Sequence, residues 1–222
     1  MTFRKTPLIT GQYYHVYNRS VANQIIFRNN HEHNLFIDTM EYYMFDNAPH
    51  RLSNYLRLTD KSRTKELDSL YDSNRTRISM YAFCLMPNHY HLLVRQNINN
   101  GISSFIRHLQ NSHAKYLNIK SKRTGSLYQN PFKGTIIETN EQFIHVARYI
   151  HINPLTSYLV KKPNELRNYP WCSFSDYINL SKRRFITKER LLSNFSTQSE
   201  LIDFTLDRAE HQRELSKIKH LI

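Results

Sequence analysis

The sequence is poor in the residues that mark several common protein classes. Among 222 residues there are two cysteines, Cys84 and Cys172, with no spacing that a zinc knuckle or a disulfide framework would show, which fits a reducing cytoplasm. No apolar run approaches the roughly 18 residues of a membrane span. The opening stretch from Met1 to Gly11 is short, basic and polar, without the apolar core of a signal peptide. Internal repeats and low-complexity tracts are absent as well. Acidic charge is also scarce: 18 Asp and Glu face 31 Lys and Arg, giving a formal charge of +13 and a pI near 9.8, with 12 histidines able to add more.

That imbalance points to a polyanionic partner, and its distribution sharpens the point. Between residues 101 and 170 there are ten Lys or Arg against three Glu. Fifteen Tyr and twelve Phe accompany the charge. Aromatic faces interleaved with cations are what single-stranded nucleic acid needs for base stacking and phosphate pairing, although most of these rings must form the core. The length suits one domain with a sizeable core and a helical tail.

Along the chain, Gly11 to Arg19 is rich in β-formers and predicts a first strand. Asn29 and Glu32 suggest a capping box, and Leu35, Phe36, Met40, Tyr43 and Met44 recur at helical spacing, predicting a helix over about 30 to 46. From Asp46 to Arg77 the chain is polar and charged with sparse leucines, which reads as an inserted loop or a small helical excursion. Ile78–Leu85 and His89–Gln96 predict two strands of a hairpin, broken at Met-Pro-Asn. Ile102 to Leu117 predict a helix, and a short β-like run covers Gly134 to Glu138. Thr139 and Gln142 form a capping box for a helix that Pro154 should terminate. Further helices are expected over Ile186–Phe195 and from Glu200 to about Leu221. This order predicts an α+β fold, a mostly antiparallel sheet with helices packed on it in the ferredoxin-like manner.

Two places carry chemistry. In a strand, His89 and His91 point to one side, and two neutral imidazoles on one face are half a metal site. The same pattern also fits two hydrogen-bonded structural histidines. In the helix after Thr139, Tyr149 and Asn153 are four residues apart on one face, and Tyr149 lies outside the apolar stripe, free to meet a cleft or solvent.

The stretches Tyr14-His-Val-Tyr-Asn-Arg19, Phe83-Cys-Leu-Met-Pro-Asn-His-Tyr-His-Leu-Leu-Val94, Gly125-Ser-Leu-Tyr-Gln-Asn-Pro-Phe-Lys133, Arg148-Tyr-Ile-His-Ile-Asn-Pro154 and Tyr169-Pro-Trp-Cys-Ser-Phe174 together resemble the single-tyrosine HUH transposases, including the REP-associated tyrosine transposases and related insertion-sequence transposases. The resemblance runs over about residues 11 to 177. It implies that His89 and His91 bind a divalent cation, Mg²⁺ or Mn²⁺, with Asn153 as third ligand, and that Tyr149 attacks single-stranded DNA near a hairpin to form a 5′-phosphotyrosine and a free 3′ hydroxyl. It further implies that the same linkage can be reversed to rejoin DNA. Candidate nucleic-acid contacts are Arg19, Arg107, Lys115, Lys122, Arg123, Lys133 and Arg148.

On this reading residues 1–177 form the transposase domain, with 46–77 as a polar insertion, and 178–222 form a helical extension. Two alternatives stand beside it: a non-catalytic relative that grips hairpin DNA or RNA, and a rolling-circle replication initiator or relaxase. Relatives of this kind include dimers that share the tyrosine helix and proteins that act as monomers, so a homodimer is left open. The expected setting is the cytoplasm, without a membrane.

Overall fold

The computed structural model describes residues 7–207. Four strands, β1 (Tyr13–Arg19), β2 (Ile78–Met86), β3 (His89–Gln96) and β4 (Lys133–Ile137), form one antiparallel sheet in the spatial order β2-β3-β1-β4. The principal helices are α1 (Asn30–Met44), α2 (Leu52–Tyr55), α3 (Asp60–Ser73), α4 (Gly101–Lys120) and α5 (Asn140–Thr156). This is the α+β, ferredoxin-like arrangement that the order of elements predicts.

Alternation along β1 sorts the side chains onto the two faces. Tyr14, Val16 and Asn18 are buried, while Tyr13, His15 and Tyr17 are half-buried on the other side. Pairing carries that sorting across the sheet: Tyr17 lies opposite His91 and Arg19 opposite His89 on β3, Cys84 lies opposite His91 on β2, and Lys133 of β4 lies opposite Tyr17. Directly paired residues share a face, so His15, Tyr17, Arg19, His89, His91, Cys84 and Lys133 belong to one side. A register slip of one residue would send the β3 histidines to the opposite face.

Helices α1 and α4 pack on the other side, where the Phe36 and Tyr90 rings lie 5.5 Å apart and Gln110 Nε2 donates to the Tyr90 hydroxyl at 2.7 Å. The start of α4 requires glycine, because a Cβ at Gly101 would overlap the Arg77 carbonyl. Helix α5 covers the histidine face, and its Phe143 ring meets Tyr13 at 5.4 Å and Tyr81 at 5.3 Å, both edge-on.

Three stretches add to or depart from the sequence-based expectations. The polar segment 46–77 contains α2 and the 14-residue α3, capped by Thr59 Oγ1 accepting from Ser62 N–H. Leu70 is the one residue of α3 that is buried, so almost no apolar stripe announces the helix. Tyr42 ties this segment down by stacking on Tyr55 at 4.2 Å and donating to Glu66 at 2.9 Å.

The second stretch is at Pro154, which does not end α5; the helix continues to Thr156. Proline forfeits one backbone donor, yet Ile150, Ile152 and Leu155 are fully buried and hold the helix against the core. The next turn closes on Asn153, whose carbonyl accepts from Ser157 N–H at 3.0 Å and Ser157 Oγ at 2.7 Å.

The third lies beyond Tyr158. Residues 169–173 run along the outer edge of β2, where Leu85 N–H donates to the Trp171 carbonyl at 2.9 Å and Ser173 N–H to the Phe83 carbonyl at 3.0 Å. This strap shields an otherwise open strand edge, and Ser173 Oγ, 3.0 Å from His151 Nε2, ties it to α5. Short helices α6 (Phe174–Tyr177), α7 (Glu189–Leu192) and α8 (Gln198–Leu206) follow. The helix expected over Ile186–Phe195 is thus confined to Glu189–Leu192, because Ile186 forms a bridge with Met80 of β2 instead. Phe185, Ile186, Leu191 and Leu201 join the same core as the sheet. The remainder of the helix expected to reach about Leu221 lies outside the described residues. Among the described residues no helix is long and apolar enough to cross a membrane.

Candidate active site

His89 opens β3 immediately after the Pro87-Asn88 turn, and its Nδ1 lies 2.6 Å from Asn88 Oδ1. His91 is 6% exposed, and its Nδ1 lies 2.9 Å from His15 Nε2. The His15 and Tyr17 rings stack near His91 at 5.1 and 5.5 Å, and the His89 ring stands at 83° to it with 5.1 Å between centres. In both β3 histidines Nδ1 is engaged, which leaves Nε2 as the nitrogen for a proton or a metal.

Electrostatics keep all three rings neutral at pH 7. Burial lowers the pKa of His15 to about 4. Burial, helped by the Arg19 charge, lowers His89 to about 4 as well. His91 is held well below the ordinary range by burial first, then by His15, His89 and Arg19. Neutral imidazole is the form that ligates metal.

Tyr149 reaches this cluster from α5. Its ring meets His91 edge-on at 5.5 Å and 88°, and His15 at 5.8 Å and 73°. The side chain is partly open, at 39% exposure, and it borders a groove of about 430 Å³ between β4 and α5 that Thr135, Ile136, Gln142, His145 and Val146 also line. Burial raises the phenol pKa, while the neighbouring Asn153 side chain and the charge of Arg19 pull it down. The phenol is therefore protonated at neutral pH and must lose its proton to become a nucleophile. The α5 start is fixed by a reciprocal cap: Thr139 Oγ1 accepts from Gln142 N–H at 3.1 Å, and Gln142 Oε1 accepts from Thr139 N–H at 3.4 Å.

Asn153 follows one turn later and is 7% exposed, with its Nδ2 buried and without a hydrogen-bond partner. A buried amide with a spare atom is costly unless something satisfies it, and a cation bound through the amide oxygen would do so once the amide is turned. Among the described residues no three His, Cys, Asp or Glu side chains cluster as metal ligands. A site at His89 and His91 must draw its further donors from a neutral amide, water or a phosphate oxygen, a set that hard divalent cations accept.

The basic residues divide into four groups. Arg19 and Lys133 are exposed beside the cluster, Arg19 across from His89 and Lys133 with its Nζ 5.9 Å above the Tyr17 ring. Lys122 and Arg123 follow α4 in a loop whose later part is joined to the end of β1, where Gln129 N–H donates to the Arg19 carbonyl and Val21 N–H to the Leu127 carbonyl. Arg107 and Lys115 are exposed on α4, the layer behind the sheet. Arg148 is buried, with its guanidinium 4.6 Å over the Phe204 ring and its Nη2 2.8 Å from His145 Nδ1.

The structure thus sets Tyr149 against His91, with His89 beside His91 and Asn153 next to Tyr149 on α5, and adds His15, which the sequence does not single out. The one signal for it is alternation: His15 is two residues before Tyr17 in a strand, but its closeness to His91 depends on the β1–β3 register.

Comparison with known proteins completes the picture. No curated protein matches the chain significantly in sequence. Among solved structures, a REP-associated tyrosine transposase bound to a REP hairpin superposes with a TM-score of 0.56 over 85% of this chain and 98% of that chain, at 12% identity, a likeness of fold. Residues 53–153, which carry both β3 histidines, Tyr149 and Asn153, match the family model described as Transposase IS200 like. Through that segment, the chain is similar to the IS200-like transposases.

Proposed function

We propose that this protein is a transposase that cleaves and rejoins single-stranded DNA near hairpins, with Tyr149 as nucleophile and a divalent cation, Mg²⁺ or Mn²⁺, held by His89, His91 and Asn153. The observation that carries the reading is the position of a partly exposed tyrosine 5.5 Å from a neutral histidine whose pair partner lies two residues away on the same strand face.

In this mechanism Tyr149 Oη attacks the scissile phosphorus and loses its proton, and the P–O3′ bond breaks as the leaving oxygen becomes a 3′ hydroxyl. The 5′-phosphotyrosine keeps the energy of the phosphodiester, so a 3′ hydroxyl of another strand can attack it and regenerate the phenol. When bound, the cation supplies Lewis-acid polarisation of the scissile phosphate. His15 is a positioning residue: its Nε2 accepts from His91 Nδ1–H, which leaves His91 Nε2 bare for ligation. Asn153 draws the phenol pKa downward against its burial. Arg19 and Lys133 flank the cluster as phosphate partners, with Lys122 and Arg123 on the neighbouring loop, and Arg107 and Lys115 offer more distant contacts. Arg148 is buried, with its guanidinium engaged by His145 and Phe204, and is not among these phosphate partners. Hairpin DNA as the substrate is consistent with the REP hairpin held by the solved relative.

The test is to incubate the protein with a randomised single-stranded hairpin library and Mn²⁺ and resolve the products under denaturing conditions. A protein–DNA adduct that disappears in Tyr149→Phe, in His89→Ala and with a chelator is the expected result. DNA retained without any adduct would instead favour a binding protein.

A further inference from the structure

Cys84 and Cys172 lie far apart in the sequence, and the fold sets them directly opposite each other. Residue 84 is in the edge strand β2 and residue 172 in the strap along its outer side, and the two form an antiparallel bridge. The hydrogen bonds Leu85 N–H to Trp171 O and Ser173 N–H to Phe83 O flank the pair and do not join it. It is therefore the narrow, non-hydrogen-bonded kind of antiparallel pair, with Cα atoms about 4.5 Å apart. A disulfide spans Cα separations of roughly 4.4–6.8 Å, so this backbone geometry accommodates one.

Both cysteines are free thiols and fully buried. Cys84 Sγ lies 3.6 Å from Met86 Sδ, and Cys172 Sγ lies 3.7 Å from the His151 carbonyl. Neither thiol has a role in the strand-cleavage chemistry proposed above. Cys84 nevertheless shares the sheet face of His91, and its thiol is among the groups felt by Tyr149.

We propose that Cys84 and Cys172 are a modification site that closes to a disulfide within the native fold when the protein meets a small-molecule disulfide such as glutathione disulfide. One cysteine thiolate attacks the glutathione disulfide, forming a mixed disulfide and releasing one glutathione thiolate. The thiolate of the other cysteine attacks the protein sulfur of that mixed disulfide, the S–S bond to glutathione breaks, and a second glutathione leaves. The two protons lost by the cysteines end on the two glutathione thiols. Access requires local opening of the strap, which breaks its two backbone bonds to β2 and the side-chain contacts of Tyr169, Trp171 and Ser173 but leaves the four-stranded sheet paired, a smaller event than global unfolding. This inference is independent of the proposed strand cleavage.

The test uses the purified full chain, incubated with glutathione disulfide below its thermal transition, then quenched, denatured, alkylated and weighed. The expected result is loss of both alkylatable thiols, a mass lower by about 2 Da, and reversal by reductant. Proteolytic mapping should recover one peptide pair joined through residues 84 and 172. Cys84→Ser and Cys172→Ser should each show no such closure. Two thiols that persist in the folded protein, oxidation only above the unfolding transition, or a stable single glutathione adduct on the wild-type chain would each overturn the proposal.

Discussion

The buried histidine His113 on α4 should make the fold acid-sensitive by a calculable amount. It is 4% exposed, stacks on Phe27 at 5.1 Å, and its Nδ1 lies 2.5 Å from the Tyr128 hydroxyl. The Tyr128 phenol is held protonated by burial and donates, so Nδ1 is the accepting nitrogen. Charging the ring would force a second donor against that hydroxyl inside the core. Burial lowers the His113 pKa from 6.5 to about 4, outweighing the opposing pull of the Glu32 carboxylate and the Ile26 backbone. Above pH 6.5 neither folded nor unfolded chain carries the proton, and the stability contribution is intact. Below it the unfolded chain takes the proton and the folded chain does not until about pH 4, so stability falls across that window. The slope approaches about 1.4 kcal/mol per pH unit, which amounts to about 2 kcal/mol between pH 7 and pH 5. Urea unfolding at the two pH values, for the wild type and for His113→Asn, which keeps an acceptor near Tyr128, isolates this share. The variant should lose about 2 kcal/mol less than the wild type on acidification. An equal loss in both proteins would refute the assignment of a neutral, proton-excluding His113.

Other outcomes follow from the way α5 is set on the sheet. Phe143→Ala removes a fully buried ring between Tyr13 and Tyr81 and should cost about 3–5 kcal/mol in urea unfolding. Thr139→Ala deletes the cap of the same helix and should cost about 1 kcal/mol by the same assay. His15→Ala removes the partner of His91 Nδ1 and should raise the Mn²⁺ concentration needed for half-maximal DNA cleavage by about 10–100-fold; an unchanged requirement would show that His15 does not position the ligand.

What the sequence reveals depends on how regular each element is. The β3 histidines and Tyr149 sit on a strand and a helix with clear periods, so shared faces could be read directly. His15 and the cysteine pair are different, since each becomes meaningful only through pairing with a residue distant in the chain, and sheet register is not written in local periodicity. Helix α3 is charged along nearly its whole length and rests on the core mainly through Leu70, which hid it in a polar stretch. Pro154 shows local propensity overruled by packing, with Leu155 buried directly beyond it. Arg148 looks like a surface cation in the sequence, and only the position of Phe204 on α8 shows why it is buried.

The most direct test of the central claim is to digest the denaturant-stable protein–DNA product with nuclease and protease and map the residual nucleotide by mass spectrometry. The account predicts one modified peptide, with the nucleotide joined through its 5′ phosphate to the Tyr149 oxygen, and none from Tyr149→Phe. A nucleotide on any other residue, or an adduct undiminished in Tyr149→Phe, would contradict it.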